Sequence, residues 1–169
     1  MQEIREFYRS TEGLAKYDNI ACGPWGAGKV GFAGPLRRFM ETDTLIIKVD
    51  EAGQPYRDPK TGFCVRVGLD EPGEVIGRVK SRALLTEYLG NREATEEKIM
   101  CDVFCKGDMW QKMGDLVIHE ESGWVRFHDR MGDTFRWKGE NVSAGEVRDH
   151  IAKLEGVVDA VVYGVKLAR

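Results

Sequence analysis

From Asp115 onward the chain reads strand, turn, strand: DLVIH, then EESG, then WVRFHDR. Apolar residues alternate on either side of Glu121–Ser122–Gly123, which predicts a hairpin with one face of each strand turned to a core. The same short alternation recurs upstream. TLIIKVD at 44–50, FCVRVG at 63–68 and PGEVIGRVK at 72–80 each read as a strand, and the first two are separated by the turn-rich EAGQPYRDPKTG. Residues 4–8 add an apolar-aromatic strand end that runs into the turn RSTEG. A chain cut this often is committed to sheets assembled from short pieces, with helix as the minor component.

Helical signals are fewer. They occur around 81–90 and from Ala94 to Ile99, where Thr95 among charged neighbours suits a first turn. After KGENV comes Ser143-x-x-Glu146, a capping box in which the Ser143 hydroxyl accepts from the Glu146 amide. Val147, Ile151 and Leu154 then repeat at helical spacing, and VVDAVVYGV reads as a strand. The C-terminal part is thus expected to begin a strand–helix–strand unit. There is no internal repeat and no low-complexity segment.

The 31% of charged residues and the formal charge of −3 describe an ordinary globular chain, without the basic excess of a non-specific nucleic-acid binder. No apolar run approaches the roughly 18 residues of a membrane helix, and MQEIREFYRSTEG is too polar to read as a secretory signal. Of Cys22, Cys64, Cys101 and Cys105, only the last two are close, and no histidine accompanies them. Zinc sites usually need two such ligand pairs, so the four cysteines read as reduced packing residues.

Residues 23–30, GPWGAGKV, come close to a phosphate loop but end in Val30 where a magnesium-binding hydroxyl belongs. Gly34 and Pro35 follow at once, so the helix such a loop requires has a poor start. With five of the twenty glycines in residues 21–35, the segment reads as a tight loop with close backbone packing.

The chemistry concentrates elsewhere. Asp115, in MGDLV, and Arg130, in DRMGDTFRWKGENVS, form a carboxylate–guanidinium pair suited to ribose. The first can accept hydrogen bonds from the 2′- and 3′-hydroxyls and the second can donate to ribose oxygens. YRSTEG at 8–13, MGD at 113–115 and DRMGDTFRWKGEN taken together resemble the fatty-acid transport protein/very-long-chain acyl-CoA synthetase branch of the adenylate-forming enzymes, with a fungal-type branch among the candidates. The resemblance implies an α+β fold: the β-rich end of the large N-terminal domain over 1–130, then over 131–169 a hinge and the start of the small C-terminal domain. It places Tyr8 against adenine, Thr11 at the α-phosphate and Glu12 on Mg2+, with Thr11 and Glu12 as the catalytic pair. Asp115 and Arg130 fall on the ribose, Gly132 on the hinge, and Arg136 and Gly139 near the adenylate or the pantetheine channel.

Two departures stand out: Arg9 replaces the usual glycine of the Thr-Glu signature, and Met113 replaces a threonine before Gly-Asp. Trp124 and Phe127 read as core residues of their strand. The family's triphosphate-gripping loop has no counterpart, and its adenylating lysine would lie past residue 169. The chain therefore reads as a middle-to-late slice: a fragment, a partial gene model or a degenerate copy, inactive by itself. By resemblance the substrates are a fatty acid, ATP and coenzyme A, giving acyl-CoA, AMP and pyrophosphate. The compartment so implied is intracellular, at the membrane of the peroxisome, endoplasmic reticulum or lipid droplet through peripheral association, and otherwise cytoplasmic. Two alternatives stay open: a non-catalytic truncated paralogue acting as a binding module, and an adenylation enzyme for another carboxylic acid in secondary metabolism.

Overall fold

The structure is a computed structural model. It describes residues 6–9, 14–21, 23–50, 52–82, 92–132, 134–137 and 140–165. The chain divides into two compact units, Met1–His128 and Asp129–Arg169.

In the first unit β1 (Glu6–Tyr8) and β2 (Tyr17–Asn19) form an antiparallel ribbon in which Tyr8 faces Tyr17. A second, antiparallel sheet carries the core. It contains β3 (Gly31–Phe32), β4 (Thr44–Ile47), β5 (Pro72–Arg78), β6 (Ile99–Cys101), β7 (Met109–His119) and β8 (Trp124–Arg130). Its order is β3-β8-β7-β5-β4, with β6 also paired to β7. Two short helices, α1 (Pro35–Met40) and α2 (Arg92–Glu97), interrupt the strands.

Both faces of the sheet are apolar at its centre, because β4 and β5 supply residues to each side. Ile46 and Val75 join Ala15, Tyr17, Val67, Met113, Val117 and Val125 in one cluster. Leu45, Ile47 and Ile76 join Cys64, Met100, Val103 and Trp110 in the other. Fully burying one such aliphatic side chain contributes about 1.5–3 kcal/mol, so these strands anchor the unit. The Gly-rich segment is a tight loop, held by a buried Asn19 whose amide donates to the carbonyls of Gly26 and Lys29 at 2.8 and 2.7 Å. A Cβ at Gly26 would lie 2.6 Å from Asn19 Oδ1, which explains the glycine there.

The second unit contains β9 (Thr134–Trp137), β10 (Glu140–Ser143) and α3 (Ala144–Ile151). The two strands pair antiparallel, from Thr134 opposite Ser143 to Trp137 opposite Glu140. Ser143 Oγ accepts from the Glu146 amide at 3.0 Å, as the capping pattern predicts. Strands with a few short helices give the expected α+β class. Among the described residues no helix is long and apolar enough to cross a membrane.

Several expectations are corrected. FCVRVG is not a strand but makes isolated bridges, Arg66 to Ile47 and Cys64 to Arg57. Its pairing is confined to single residues on either side of a turn-rich connector. VVDAVVYGV forms no strand either: Val158, Val161, Tyr163 and Val165 are exposed, and no strand among the described residues pairs with them. Helix α2 stops at Glu97, and Ile99 opens β6 instead. On β8 the core residue is Val125. Phe127 is exposed, and Trp124 is half-buried edge-on against Phe32, with ring centroids 5.1 Å apart. Cys64 is buried, but Cys101 and Cys105 are exposed and do not pack. Cys22 and the helical signals at 83–90 lie outside the described residues.

The loop between β6 and β7 is held by one carboxylate. Asp108 accepts from the amides of Val103 at 2.6 Å, Phe104 at 3.0 Å and Cys105 at 3.3 Å, and from Trp110 Nε1 at 2.9 Å. Burial works to raise its pKa, but these donors outweigh burial and hold it below the usual carboxylate value. Asp108→Ala orphans several donors at once and is expected to cost about 3 kcal/mol in urea unfolding. An unchanged midpoint would refute this account of the loop.

Candidate functional site

The register of the central ladder breaks where the site begins. Glu74 of β5 faces Leu116 of β7 and Ile76 faces Lys112, so Val75 alone lies opposite Met113, Gly114 and Asp115. The excess residues make a bulge in β7, and Gly114 accommodates it with φ +76°, a left-handed conformation that glycine adopts without steric cost. Asp115 follows at once and is half-buried. Its Oδ2 accepts a hydrogen bond from the Tyr8 hydroxyl at 2.7 Å. Two residues singled out from motifs 107 positions apart therefore meet. Tyr8 also packs against the first apolar cluster, its ring centroid 6.1 Å from that of buried Tyr17.

A residue that sequence reasoning missed sits behind this pair. Glu74 is almost wholly buried, with 1% of its surface exposed. Its Oε1 accepts from the Gly114 amide at 3.3 Å, and its Oε2 has no hydrogen-bond partner among the described residues. Burial, opposed in part by Lys112 and the Gly114 amide, pushes its pKa up to about 7, and neighbouring Asp115 adds to the rise. The available signal was a carboxylate in the middle of the otherwise apolar, glycine-flanked run GEVIG.

Other predicted residues are placed more sparsely. Thr11, Glu12 and Gly139 lie outside the described residues. Arg9 has no positive φ and pairs with Asp18 at 2.9 Å, so the backbone conformation there does not call for glycine. In the second unit, Arg130 is exposed at the end of β8, where its amide donates to Asp129 Oδ1 at 2.8 Å. Gly132 lies in the turn after it with φ +98°. The backbone of Arg136 sits in β9 opposite Asn141. Among the described residues no group of three or more His, Cys, Asp or Glu could hold a metal ion. Lys29, of the near-match phosphate loop, is paired with Glu120. His119 is buried, and its Nε2 donates to the Ala33 carbonyl at 2.7 Å. Burial holds its pKa below the ordinary imidazole value.

No protein-family model matches the chain. Among curated proteins, isopenicillin N epimerase component 1 of Hapsidospora chrysogena is 40% identical over 170 residues, covering 99% of this chain and 28% of that protein. The very long-chain fatty acid transport protein of Cochliobolus heterostrophus is 35% identical over 165 residues, covering 96% of this chain and 26% of that protein. Among solved structures, ATP-bound MatB from Rhodopseudomonas palustris superposes with a TM-score of 0.59 at 22% identity, over 96% of this chain and 27% of that one. O-succinylbenzoate coenzyme A synthetase from Bacillus subtilis, in complex with AMP, does so with a TM-score of 0.56 at 22% identity, over 96% and 28%. The chain thus spans about a quarter of the length of the curated relatives it matches. Its fold is that of the corresponding part of adenylate-forming enzymes.

The buried carboxyl has a thermodynamic signature. Glu74 takes up its proton near 4.5 when exposed and near 7 when folded, so its stabilising contribution is complete below pH 4.5 and lost as pH rises to about 7. At about 1.4 kcal/mol per pKa unit the loss is on the order of 3 kcal/mol. His119 acts in the opposite sense: its folded pKa is depressed, so its contribution is lost as pH falls below about 6.5. The Glu74→Gln variant cannot titrate, so its stability should gain on the wild type by about 3 kcal/mol between pH 4.5 and pH 8. Parallel wild-type and variant curves in denaturant unfolding would contradict a protonated Glu74.

Proposed function

We propose that this segment, homologous to part of the very-long-chain fatty acid transport proteins, supplies the adenosine-binding groups of an ATP-dependent acyl-CoA synthetase. The observation that carries the reading is the hydrogen bond from the Tyr8 hydroxyl to Asp115, which brings together the two motifs to which the reading gives adenine and ribose. Asp115 accepts from the ribose hydroxyls, the Tyr8 ring lies against adenine, and Arg130 donates to ribose oxygens. Holding the nucleoside in one orientation converts attack of the fatty acid carboxylate on the α-phosphorus, with pyrophosphate leaving, into a positioned reaction. Coenzyme A then takes the acyl group from the adenylate and AMP leaves.

Magnesium, held by Glu12 in this reading, would neutralise phosphate charge as the acyl-phosphate bond forms. Thr11 would stand at the α-phosphate, and Arg136 and Gly139 near the adenylate or the pantetheine arm. Gly132 is the proposed hinge. Support comes from its left-handed backbone four residues past the boundary between the two units, since glycine tolerates the φ changes a hinge absorbs. Nucleotide binding is the property expected of these 169 residues. The transport-protein relatives direct the search for its location to membrane-associated compartments, with peripheral attachment.

A second reading is favoured by one observation. One of the relatives at 40% identity, matched over 99% of this chain, bears the name of an isopenicillin N epimerase component; another at 40% is a human long-chain fatty acid transport protein. The acid activated would then be another carboxylate of secondary metabolism, with the same nucleotide chemistry.

Titration of the chain with AMP and with ATP, followed by calorimetry, tests the shared part. Asp115→Ala and Arg130→Ala should each weaken binding by about 1.5–3 kcal/mol, the worth of a charge-assisted hydrogen bond. Binding left unchanged in both variants would overturn the ribose assignment.

A further inference from the structure

The bulge in β7 poses an accounting problem that the ribose reading does not address. A bulge removes a strand residue from the ladder and leaves its amide without a sheet partner. Here that amide belongs to Gly114, and a side chain of the neighbouring strand reaches it: Glu74 Oε1 accepts at 3.3 Å. Glu74 is itself in the ladder, opposite Leu116, so it is held on the far side of the bulge from Ile76 and Lys112. The next residue after Gly114 is Asp115, whose carboxylate already has one fixed partner in the Tyr8 hydroxyl.

We infer that Glu74 is a positioning residue: its buried carboxyl caps the Gly114 amide inside the bulge and thereby fixes the direction in which Asp115 leaves β7. The functional half of this inference rests on the ribose reading above, but the structural half does not. Two physical facts support a dedicated role over incidental packing. An ionisable group at 1% exposure is costly among valines and isoleucines, and an aliphatic residue would fill β5 more cheaply. The cost is reduced by protonation, which leaves Oε1 free to accept from the amide. The titratable and charged groups acting on Glu74 are Lys112 and Asp115, and Glu74 in turn acts on Cys64. Gly114 completes the device, since a side chain at φ +76° would be strained whatever the space around it.

The test uses the 169-residue chain, isotope-labelled, with AMP as the probe. In the wild type the Gly114 amide resonance should move with a midpoint near pH 7 as Glu74 titrates. In Glu74→Gln it should not move in that range, because the amide oxygen accepts at every pH. A Gly114 resonance that ignores pH in the wild type, or follows it equally in the variant, overturns the cap. Glu74→Leu keeps β5 apolar and removes the acceptor. It should shift the Gly114 amide, the Asp115 carboxyl carbon and the Tyr8 ring together, and weaken AMP binding about ten-fold, while Glu74→Gln binds within about three-fold of wild type. A folded Glu74→Leu chain that moves Gly114 but leaves Asp115 and Tyr8 unchanged overturns the positioning role. Should Glu74→Leu fail to fold, the Gly114 titration and the AMP affinity of Glu74→Gln still decide. A wild type that titrates as expected but binds no AMP would refute the nucleotide reading and leave the cap standing.

Discussion

A strand buried on both faces has no side to give to solvent, so every residue on it must be satisfied by packing or by a partner. β5 is that strand. Its central residues Gly73–Gly77 are all buried, and it lies between β4 and β7 in the sheet. Its glycines let neighbours approach. A Cβ at Gly73 would come within 2.6 Å of the Ile47 carbonyl, and one at Gly77 within 2.6 Å of the Leu14–Ala15 backbone amide. Val75 and Ile76 feed the two apolar clusters. Glu74 is the exception, a carboxyl on a strand with no water to offer it. A donor projected by the neighbouring strand compensates it in part, and the β7 bulge supplies that donor. The geometry around Asp115 follows from the burial of β5.

Much of this was legible in the sequence, and the successes share a cause. β4, β5, β8 and the end of β7 from Asp115 were readable because their apolar residues alternate or run together beside turn residues; Met109–Gly114, the first part of β7, was not read as strand. The Ser143 cap was readable because its chemistry is local, three residues from donor to acceptor. Tyr8 and Asp115 were each singled out from short motifs. Their contact was not readable, since nothing local specifies a pairing over 107 positions.

The failures are equally physical. VVDAVVYGV has strand composition, but composition does not make a strand without an edge to pair with. FCVRVG alternates well and still makes only single bridges, because its neighbours Asp58–Gly62 close a turn at once through the Gly62 amide and the Asp58 carbonyl. Trp124 and Phe127 were assigned to the core by residue type, yet the strand turns Val125 inward instead. Glu74 escaped notice because one carboxylate within an apolar run is usually read as the solvent side of an amphipathic strand. A strand buried on both faces inverts that reading.

What Asp115 and Glu74 have in common is charge type; what separates them is environment. One is half-buried with a hydroxyl donating to it, the other almost wholly buried and driven toward its neutral form. Two carboxyl groups so differentiated divide the work, one presenting acceptors to a ligand and the other holding backbone in place. In the nucleotide reading proposed above, such a division belongs to the nucleotide end of the reaction and is indifferent to the acid being activated. That fits the relatives, in which a fatty acid transporter at 35% identity and an isopenicillin N epimerase component at 40% share this segment with the chain. Contacts to ribose and adenine place no demand on acyl length, so a segment that supplies only those contacts can be retained while the acid changes. Discrimination among acids requires a pocket that touches the acyl group, because one methylene in an apolar pocket changes binding by about 1–3 kcal/mol only where it is in contact. In the proposed reading Tyr8 and Asp115 face the nucleoside, with Glu74 behind them on the Gly114 amide, and the acid is chosen by other residues.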